Sequence, residues 1–379
     1  MRIVLAQILK PSSETRIFEK LGITLAENAF LDIQIWGSDL FTSNPSTYLP
    51  NIRALPVFSQ KKGLSNRIRN LGQFWNLLQK SEPDVIICSS PDLVLIALIY
   101  RLFRFSFIIL DLQENHSLNF KFQSVYNKWN FRLTRGLISF VQKWILKKVD
   151  QIWIAEEIYY QQLIAPIKIS NWNLFENKVP VHWETSPISE NRLPQLPYFL
   201  FSGVITTESG IERAILWMEY WTKTHPDWTL KVCGYCPDPV LTQRLFKIQA
   251  VKPWLILMDI ENWKTSNEIR NELIGCEAVL MPYYESFANL GKKPTKWFEA
   301  RWAGKPALIQ KNGQWKKLEG TIEVDFNSPE FCNPEMTLLE MRSFSNTNSN
   351  SSDWLFEREK LKSEFQEILN RLKKGNNNI

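Results

Sequence analysis

The residues whose types and spacing best fit a phosphorylated ligand lie in the stretch PYYESFANLGKKPTKWFEARWAGKPALI. An apolar strand ending at Met281 runs into a loop, and the pattern predicts a helix that begins near Thr295. Unpaired backbone N–H groups and the positive end of the dipole at such a helix start favour phosphate. Lys296 and Glu299 are three residues apart and share a helix face, where a cation could reach a diphosphate and a carboxylate could accept two ribose hydroxyls. The same spacing also fits a plain surface salt bridge.

A candidate proton-transfer group is His116, in the segment IILDLQENHSLNF. It follows a predicted apolar strand, and an imidazole there could exchange a proton with a reacting hydroxyl near neutral pH. A histidine in a loop is equally compatible with a solvent-exposed position that has no chemical role. The two remaining histidines, His182 and His225, are interpreted as structural.

The elements that must position these residues are short apolar runs that alternate with amphipathic segments. One series starts at RIVLAQ and continues to VDQIWIAEEIYYQQLI, and a second starts at YFLFSG and continues to KPALIQ. Apolar strands alternating with helices indicate a parallel sheet covered on both faces. A length of 379 residues also favours two cores. The predicted fold class is therefore α/β, with two doubly wound, Rossmann-like domains facing a cleft.

The domain boundaries follow from losses of periodicity and from polar or proline-rich stretches. We predict an amino-terminal acceptor domain over 1–165, a linker over 166–197 and a carboxyl-terminal nucleotide-sugar domain over 198–341. A polar linker over 342–353 then precedes a closing helix and tail over 354–379.

The segment PTKWFEARWAGKPAL resembles the donor-binding helix of GT-B glycosyltransferases, in particular bacterial retaining nucleotide-sugar enzymes of surface-glycan synthesis. The resemblance implies that Glu299 binds the ribose and that Thr295 and Lys296 contact the donor diphosphate. Glu285 and Asn289, in the preceding loop, are further donor-binding candidates. Gly291 holds the place of the second glutamate that retaining members often carry.

The segment YFLFSGVITTESGIERAI resembles the opening of the carboxyl-terminal domain in the same enzymes. There a strand ends at a glycine and a second glycine starts a helix that faces the donor phosphates, and Gly203 and Gly210 fit these two places. Ser209 stands where many relatives have a basic residue. Thr206, Thr207, Ser209 and local backbone N–H groups are then the donor-binding candidates of this loop.

In the amino-terminal half, IILDLQENHSLNF resembles the segment where these enzymes often show Asp, any residue, His and Glu. Asp111 and Glu114 match, and Gln113 replaces the histidine, which His116 could supply. The opening LAQILKPSSETRIFEKLGITLA resembles a first strand, loop and helix in which Arg16 contacts an acceptor or the leaving phosphate. A first-turn arginine in solvent is the alternative for Arg16. The catalytic candidates are thus Arg16, Glu114 and His116.

Together the resemblances imply transfer of a sugar from a nucleoside-diphosphate donor to a glycan or lipid-linked acceptor, with retention of anomeric configuration slightly preferred. No metal and no cofactor are expected, because helix dipoles and cationic side chains would compensate the charge of the departing diphosphate. A sugar epimerase or phosphorylase of the same fold remains an alternative. So does a degenerate domain that binds a nucleotide sugar or a partner without turnover.

Charge patterning bears on partners. The net charge is +6 and the chain has no dense basic run, which argues against nucleic acid. The stretch 127–150 places basic residues among Trp, Phe, Leu and Ile and predicts a helix suited to an anionic membrane surface; a core-facing helix with a basic outer side fits equally well. The apolar segment from Leu93 to Leu110 contains Arg101 and Arg104, so we predict a buried helix and a buried strand rather than a membrane span.

Five cysteines and no recognisable signal peptide predict a reducing, cytoplasmic location, with peripheral membrane association as an option. The pair in CGYC has the spacing of a redox site, but Pro237 and Pro239 stand where such a site would begin its helix. The sixteen tryptophans favour packing, with stacking on sugars or lipid contact as the lesser interpretation.

Overall fold

The structure of the chain is a computed structural model that describes residues 1–38, 49–59, 61, 63–114, 131–185, 196–285, 290–344 and 353–376. The chain divides into two compact units. The first unit comprises Met1–Asn177 and Trp354–Ile379, and the second comprises Lys178–Asp353. The closing helix therefore belongs with the amino-terminal unit, although it is the last element in the sequence.

The first unit is built on a seven-stranded parallel sheet of order β3-β2-β1-β4-β5-β6-β7. β1 is an inner strand beside the central strand β4, and its Ile3 pairs with Ile33 of β2 on one side and with Val85 of β4 on the other. The strand order reverses direction beside β1, and ligands of open α/β sheets gather at the carboxyl ends of strands at such a point. The strands are β1 (Arg2–Pro11), β2 (Asp32–Ser38), β3 (Ile52–Phe58), β4 (Val85–Cys88), β5 (Phe107–Leu112), β6 (Gln151–Ile154) and β7 (Trp172–Leu174).

Helices and helical turns connect these strands and cover the sheet. The helix that the resemblance implies after the first loop is a π-helix over Arg16–Gly22 that continues into a short α-helix. The helices of this unit are α1 (Ile23–Ala26), α2 (Leu64–Ser81), α3 (Pro91–Arg101), α4 (Phe131–Lys148) and the closing helix (Leu355–Asn376). Short turns of π-helix and 3₁₀-helix occupy Tyr160–Ile164 and Ala165–Ile167.

The second unit repeats the architecture with a six-stranded parallel sheet of order β10-β9-β8-β11-β12-β13. Here β8 and β11 are the central neighbours, and Phe199 pairs with Ala278. The strands are β8 (Tyr198–Val204), β9 (Thr229–Tyr235), β10 (Leu255–Leu257), β11 (Ala278–Met281), β12 (Ala307–Gln310) and β13 (Thr321–Val324). The helices are α5 (His182–Thr185), α6 (Ile211–Trp221), α7 (Pro239–Gln249), α8 (Ser266–Gly275), α9 (Thr295–Trp302) and α10 (Pro334–Ser343), with a 3₁₀ turn at Pro329–Phe331.

The predicted fold class of two doubly wound α/β domains is confirmed. The strand β7 lies inside the stretch that the sequence assigned to a linker. It was not predicted because its three residues are only half buried and show no apolar run. Leu93–Leu110 splits into α3 and β5, as predicted. No helix of the described part of the chain is long and apolar enough to cross a bilayer.

Tryptophan is used mainly for packing. Six tryptophans are among the largest side chains with less than 2% exposure, namely Trp36, Trp153, Trp183, Trp217, Trp221 and Trp354. In the second unit, Trp217 and Trp221 lie stacked 5.0 Å apart and both contact the Phe199 ring. Such pairs add to the energy of area burial, so this aromatic cluster holds α6 on the sheet.

Candidate functional site

Two glycines hold the carboxyl ends of β8 and β9 close together. A Cβ built on Gly234 would lie 1.9 Å from the carbonyl oxygen of Gly203, so only glycine fits between these strands. Gly203 itself has φ +83°, a backbone conformation that favours glycine. A Cβ on Gly203 would lie 3.2 Å from Cε of Lys296. The strand end is therefore shaped so that a lysine from a different element can lie against it.

The loop after β8 closes on itself before α6 begins. Ser209 Oγ donates to the Thr206 carbonyl at 2.7 Å and accepts from Thr206 N–H, while Ser209 N–H donates to Thr206 Oγ1. Gly210 has φ +82° and starts α6, as the resemblance predicts, and a Cβ there would lie 2.0 Å from the Pro282 carbonyl oxygen. Ser209 is thus buried in the turn and shapes it, whereas Thr207 is exposed.

The predicted helix start near Thr295 is also found. α9 begins at Thr295 after Pro294, and no side chain caps its amino end within the described part of the chain. Thr295 is exposed and Trp297 is buried, with its indole N–H donating to the Glu319 carbonyl at 2.8 Å. The first turn of α9 thus offers backbone N–H groups and the positive end of a helix dipole.

Lys296 is the unusual residue of this region. Only 6% of it is exposed, and its Nζ has no hydrogen-bond partner among the described residues. The Nζ lies 4.2 Å from the centre of the Phe201 ring and 5.1 Å from that of Tyr283. Burial lowers the pKa of Lys296 to about 8, and the charge of Glu299 opposes this decrease. A buried amine that lies over two rings and has no hydrogen-bond partner among the described residues is costly, so the position favours an anion that completes its contacts.

Glu299 lies one turn after Lys296 on α9 and is partly buried. Its charge also adds to the burial that raises the pKa of Tyr283 far above the usual range. Glu285 is exposed, 3.7 Å from a Cβ built on Gly313. Gly291, which stands where retaining enzymes of this family often carry a second glutamate, has φ +75° and donates its N–H to Gln314 Oε1. The chain forms a turn at this position. Asn289 falls outside the described residues.

The structure adds a cation that sequence reasoning missed. Arg213, in the first turn of α6, donates to the Tyr283 carbonyl at 3.1 Å, and its guanidinium lies 3.6 Å from the centre of the Tyr284 ring. It thereby fixes the chain where β11 leaves the sheet. The available signal was its place three residues after Gly210, in the first turn of a glycine-led helix. In this unit the structure brings together Gly203, the loop to Gly210, Lys296 and Glu299.

Arg16, in the first unit, is enclosed by protein groups and not exposed to solvent. Only 2% of it is exposed. Its Nε and Nη2 donate to the Asp111 carboxylate at 2.6–3.1 Å, and Nη1 donates to the Phe175 carbonyl and to Asn177 Oδ1 at 2.8 and 2.9 Å. Burial alone would lower the pKa of Arg16, but the charge and hydrogen bonds of Asp111 outweigh it and raise the pKa above its usual value. A guanidinium enclosed in this way ties β5 to the end of the unit, and the predicted contact of Arg16 with an acceptor or the leaving phosphate stays a prediction.

The residue in place of the family histidine belongs to the same network. Gln113 donates through Nε2 to Asp111 Oδ2 at 2.8 Å, and its Oε1 accepts from Lys10 Nζ at 2.7 Å. Its carbonyl accepts from the Tyr159 hydroxyl at 3.0 Å. Glu114, the next residue, is exposed at the carboxyl end of β5. His116 falls outside the described residues, so its predicted role stays a prediction.

The CGYC segment is structural. Both thiols are free and buried. Burial raises the pKa of Cys233 to about 12, which leaves it a poor nucleophile at neutral pH. Cys233 and Cys236 pack into different apolar clusters of the second unit. The redox interpretation therefore has no support.

The two doubly wound units define a protein of the GT-B fold. No family model matches the sequence, and no curated protein matches it. Among solved structures, sucrose-phosphate synthase from Thermosynechococcus elongatus is similar over 98% of this chain and 99% of that chain, with a TM-score of 0.69 and 14% identity. HepE from Anabaena, in complex with UDP-glucose, is similar over 97% and 100%, with a TM-score of 0.64 and 12% identity.

An enzyme with a different printed activity shares the fold. A putative UDP-N-acetylglucosamine 2-epimerase from Listeria monocytogenes is similar over 97% of both chains, with a TM-score of 0.58 and 12% identity. At such identities the likeness shows the fold, and the chemistry must be argued from the site.

Glu299→Gln is expected to weaken binding of a nucleoside diphosphate about 10- to 100-fold, because a charged acceptor of hydroxyl hydrogen bonds contributes about 1.5–3 kcal/mol. Isothermal titration calorimetry measures the change. Glu330→Gln, at an exposed position of the same unit, is the matched control and should bind as the wild type does. Equal affinity of Glu299→Gln and wild type would remove Glu299 from the site.

Proposed function

We propose that the protein is a glycosyltransferase that takes a sugar from a nucleoside-diphosphate donor. The observation that carries this proposal is Lys296, at the start of α9. Its buried Nζ has no hydrogen-bond partner in the described part of the chain, and its Cε lies against Gly203. A donor diphosphate would supply the missing partner. The complex of HepE with UDP-glucose, in a protein of the same fold, supports a donor of this class.

The proposed donor site uses three kinds of contact. Lys296 and the amino end of α9 receive the diphosphate, and Glu299 accepts the two ribose hydroxyls. Thr206, Thr207 and the backbone around Gly210 line the other side of the phosphates. As the bond between the sugar and the diphosphate breaks, negative charge grows on the leaving oxygen, and the Lys296 ammonium and the helix dipole stabilise it there.

We further propose a glycan or lipid-linked acceptor, with Glu114 at the acceptor side. Retention of configuration is the favoured outcome, by attack of the acceptor on the same face that the diphosphate leaves. We also place the reaction in the cytoplasm, since all five cysteines are free thiols, with peripheral contact to an anionic membrane through the region 127–150.

The test is turnover with a panel of nucleoside-diphosphate sugars, measured as release of nucleoside diphosphate in the presence of candidate acceptors. Activity is expected to persist in EDTA, because Lys296 and the start of α9 provide the charge compensation that a metal ion would otherwise give. Activity that returns only with added Mg²⁺ or Mn²⁺ would contradict metal independence. Tight donor binding without release or transfer would instead support the degenerate binding module, and epimerised donor would identify the epimerase alternative.

A further inference from the structure

A run of exposed apolar side chains lies in the first unit, at the end of α3. Leu102, Phe103 and Phe105, in the loop between α3 and β5, are 82%, 74% and 66% exposed. Three large apolar residues at a loop tip are costly to leave in water, and an exposed cluster of this kind marks an interaction surface. Ile99, on the last turn of α3, extends the run.

The outer face of α4 continues this surface. α3 and α4 pack side by side, and Arg101 donates to the Lys148 carbonyl at 2.9 Å, which joins the end of α3 to the end of α4. Ile145 and Leu146 of α4 are buried in the core, whereas Phe140 and Trp144 are 66% and 41% exposed. The sequence left open whether this helix faces the core or lipid; in the structure one side packs on the sheet and the other presents aromatic rings.

Basic side chains surround these rings. Lys143 and Lys147 are exposed beside Trp144 on α4, and Lys148 is exposed at its end. Arg104 stands between Phe103 and Phe105 and is half exposed, with Glu82 as its ion-pair partner. We call this surface the aromatic-basic patch, and its members are Ile99, Leu102, Phe103, Arg104, Phe105, Phe140, Lys143, Trp144, Lys147 and Lys148.

We propose that the aromatic-basic patch docks the protein on an anionic lipid bilayer, with the loop side chains Leu102, Phe103 and Phe105 inserted among the headgroups. Aromatic and aliphatic side chains flanked by lysine and arginine match the boundary between acyl chains and anionic headgroups. Two copies of the patch facing each other would oppose lysine with lysine, which disfavours self-association through it. This inference rests on the membrane contact proposed above for region 127–150 and deepens it by adding the loop; it does not depend on the donor site.

The experiment is co-sedimentation of the full chain with vesicles of phosphatidylcholine alone or with phosphatidylglycerol, at low and high salt. The wild type is expected in the pellet with anionic vesicles at low salt and in the supernatant at high salt. The triple variant Lys143→Glu, Lys147→Glu, Lys148→Glu should lower the partition coefficient at least about 100-fold, since each basic residue near the surface contributes about fivefold. The control triple variant Lys247→Glu, Lys373→Glu, Lys374→Glu has the same charge change at exposed positions outside the patch and should still sediment.

A second variant tests the loop. Phe103→Ser with Phe105→Ser should weaken binding about 10-fold or more at unchanged net charge, whereas Phe331→Ser, at an 83% exposed position of the other unit, should not. Nucleoside diphosphate binding measured on the same samples reports on the donor site, so either proposal can fail alone. The lipid assignment is overturned if the wild type stays in the supernatant with anionic vesicles, or if the control variants lose vesicle binding equally. It is also overturned if the two Phe→Ser changes dissociate a dimer and leave vesicle binding unchanged.

Discussion

Lys296→Met is expected to weaken nucleoside diphosphate binding about 100-fold or more and, at the same time, to stabilise the unliganded fold. Removing one partner of a buried charged pair costs about 2–5 kcal/mol, because the phosphate oxygens are left unpaired. Without ligand the effect reverses, because methionine fills the same space and removes an amine that has no hydrogen-bond partner among the described residues. A lysine that only packs in the core would not produce the loss of affinity.

The stability difference between Lys296→Met and the wild type should depend on pH. Burial lowers the pKa of Lys296 to about 8 from the ordinary value of 10.5. Below pH 8 the amine is charged in both the folded and unfolded states, and the folded state bears the full cost of about 3 kcal/mol. As pH rises from 8 to 10.5 the folded state loses its proton first and the cost disappears. The stability gained by Lys296→Met should therefore be largest at pH 7 and fade towards pH 10.

In the wild type, ligand affinity should fall over the same pH range in which the stability of the unliganded fold rises. A diphosphate requires the charged amine, so its affinity should decline as pH rises above about 8, and binding at pH 8.5 should take up a proton from the buffer. Calorimetry in two buffers of different ionisation enthalpy measures the uptake, and urea unfolding followed by tryptophan fluorescence measures the stability. Lys316→Met, at an exposed position, is the control. The diphosphate contact would be disproved if Lys296→Met bound the nucleoside diphosphate as tightly as the wild type. It would also be disproved if the affinities of Lys296→Met and the wild type had the same pH profile.

The parts of the site that could be predicted depend on local signals. Gly210 directly precedes α6 and Pro294 directly precedes α9. Each is a signal next to the helix it starts, and both helices begin where the sequence places them. Gly203, which the sequence marks at the end of a strand, has φ +83°, a backbone conformation that few side chains tolerate. Short apolar strands between such signals also predicted the doubly wound sheets.

The parts that could not be predicted depend on contacts between distant segments. Nothing in the sequence around Lys296 indicates that its Nζ lies over Phe201, because that contact exists only when α9 packs at the end of β8. The Arg16 pairing joins residues 95 positions apart, so local spacing could only suggest an exposed first-turn arginine or a substrate contact. β7 was missed because an edge strand of three half-buried residues lacks an apolar pattern.

Arg16→Ala is expected to destabilise the first unit by about 3–5 kcal/mol, because it leaves the Asp111 carboxylate buried without its cation. Asp111 is only 2% exposed, so water cannot replace the guanidinium without opening the structure. The loss also frees the Phe175 carbonyl and Asn177, where the chain leaves the first unit. Chemical denaturation or a decrease in the midpoint of thermal unfolding measures the effect.

A double variant separates an ion pair that positions the chain from a catalytic arginine. Replacing both partners with apolar residues, as in Arg16→Met with Asp111→Leu, removes the buried charges together and should cost much less than the sum of the two single changes. If Arg16 acts through structure alone, the folded double variant should bind nucleoside diphosphate as the wild type does. Its rate of sugar transfer should then exceed that of Arg16→Ala to the extent that its stability does. A stable double variant whose turnover stays at the level of Arg16→Ala would support the predicted contact of Arg16 with the substrate.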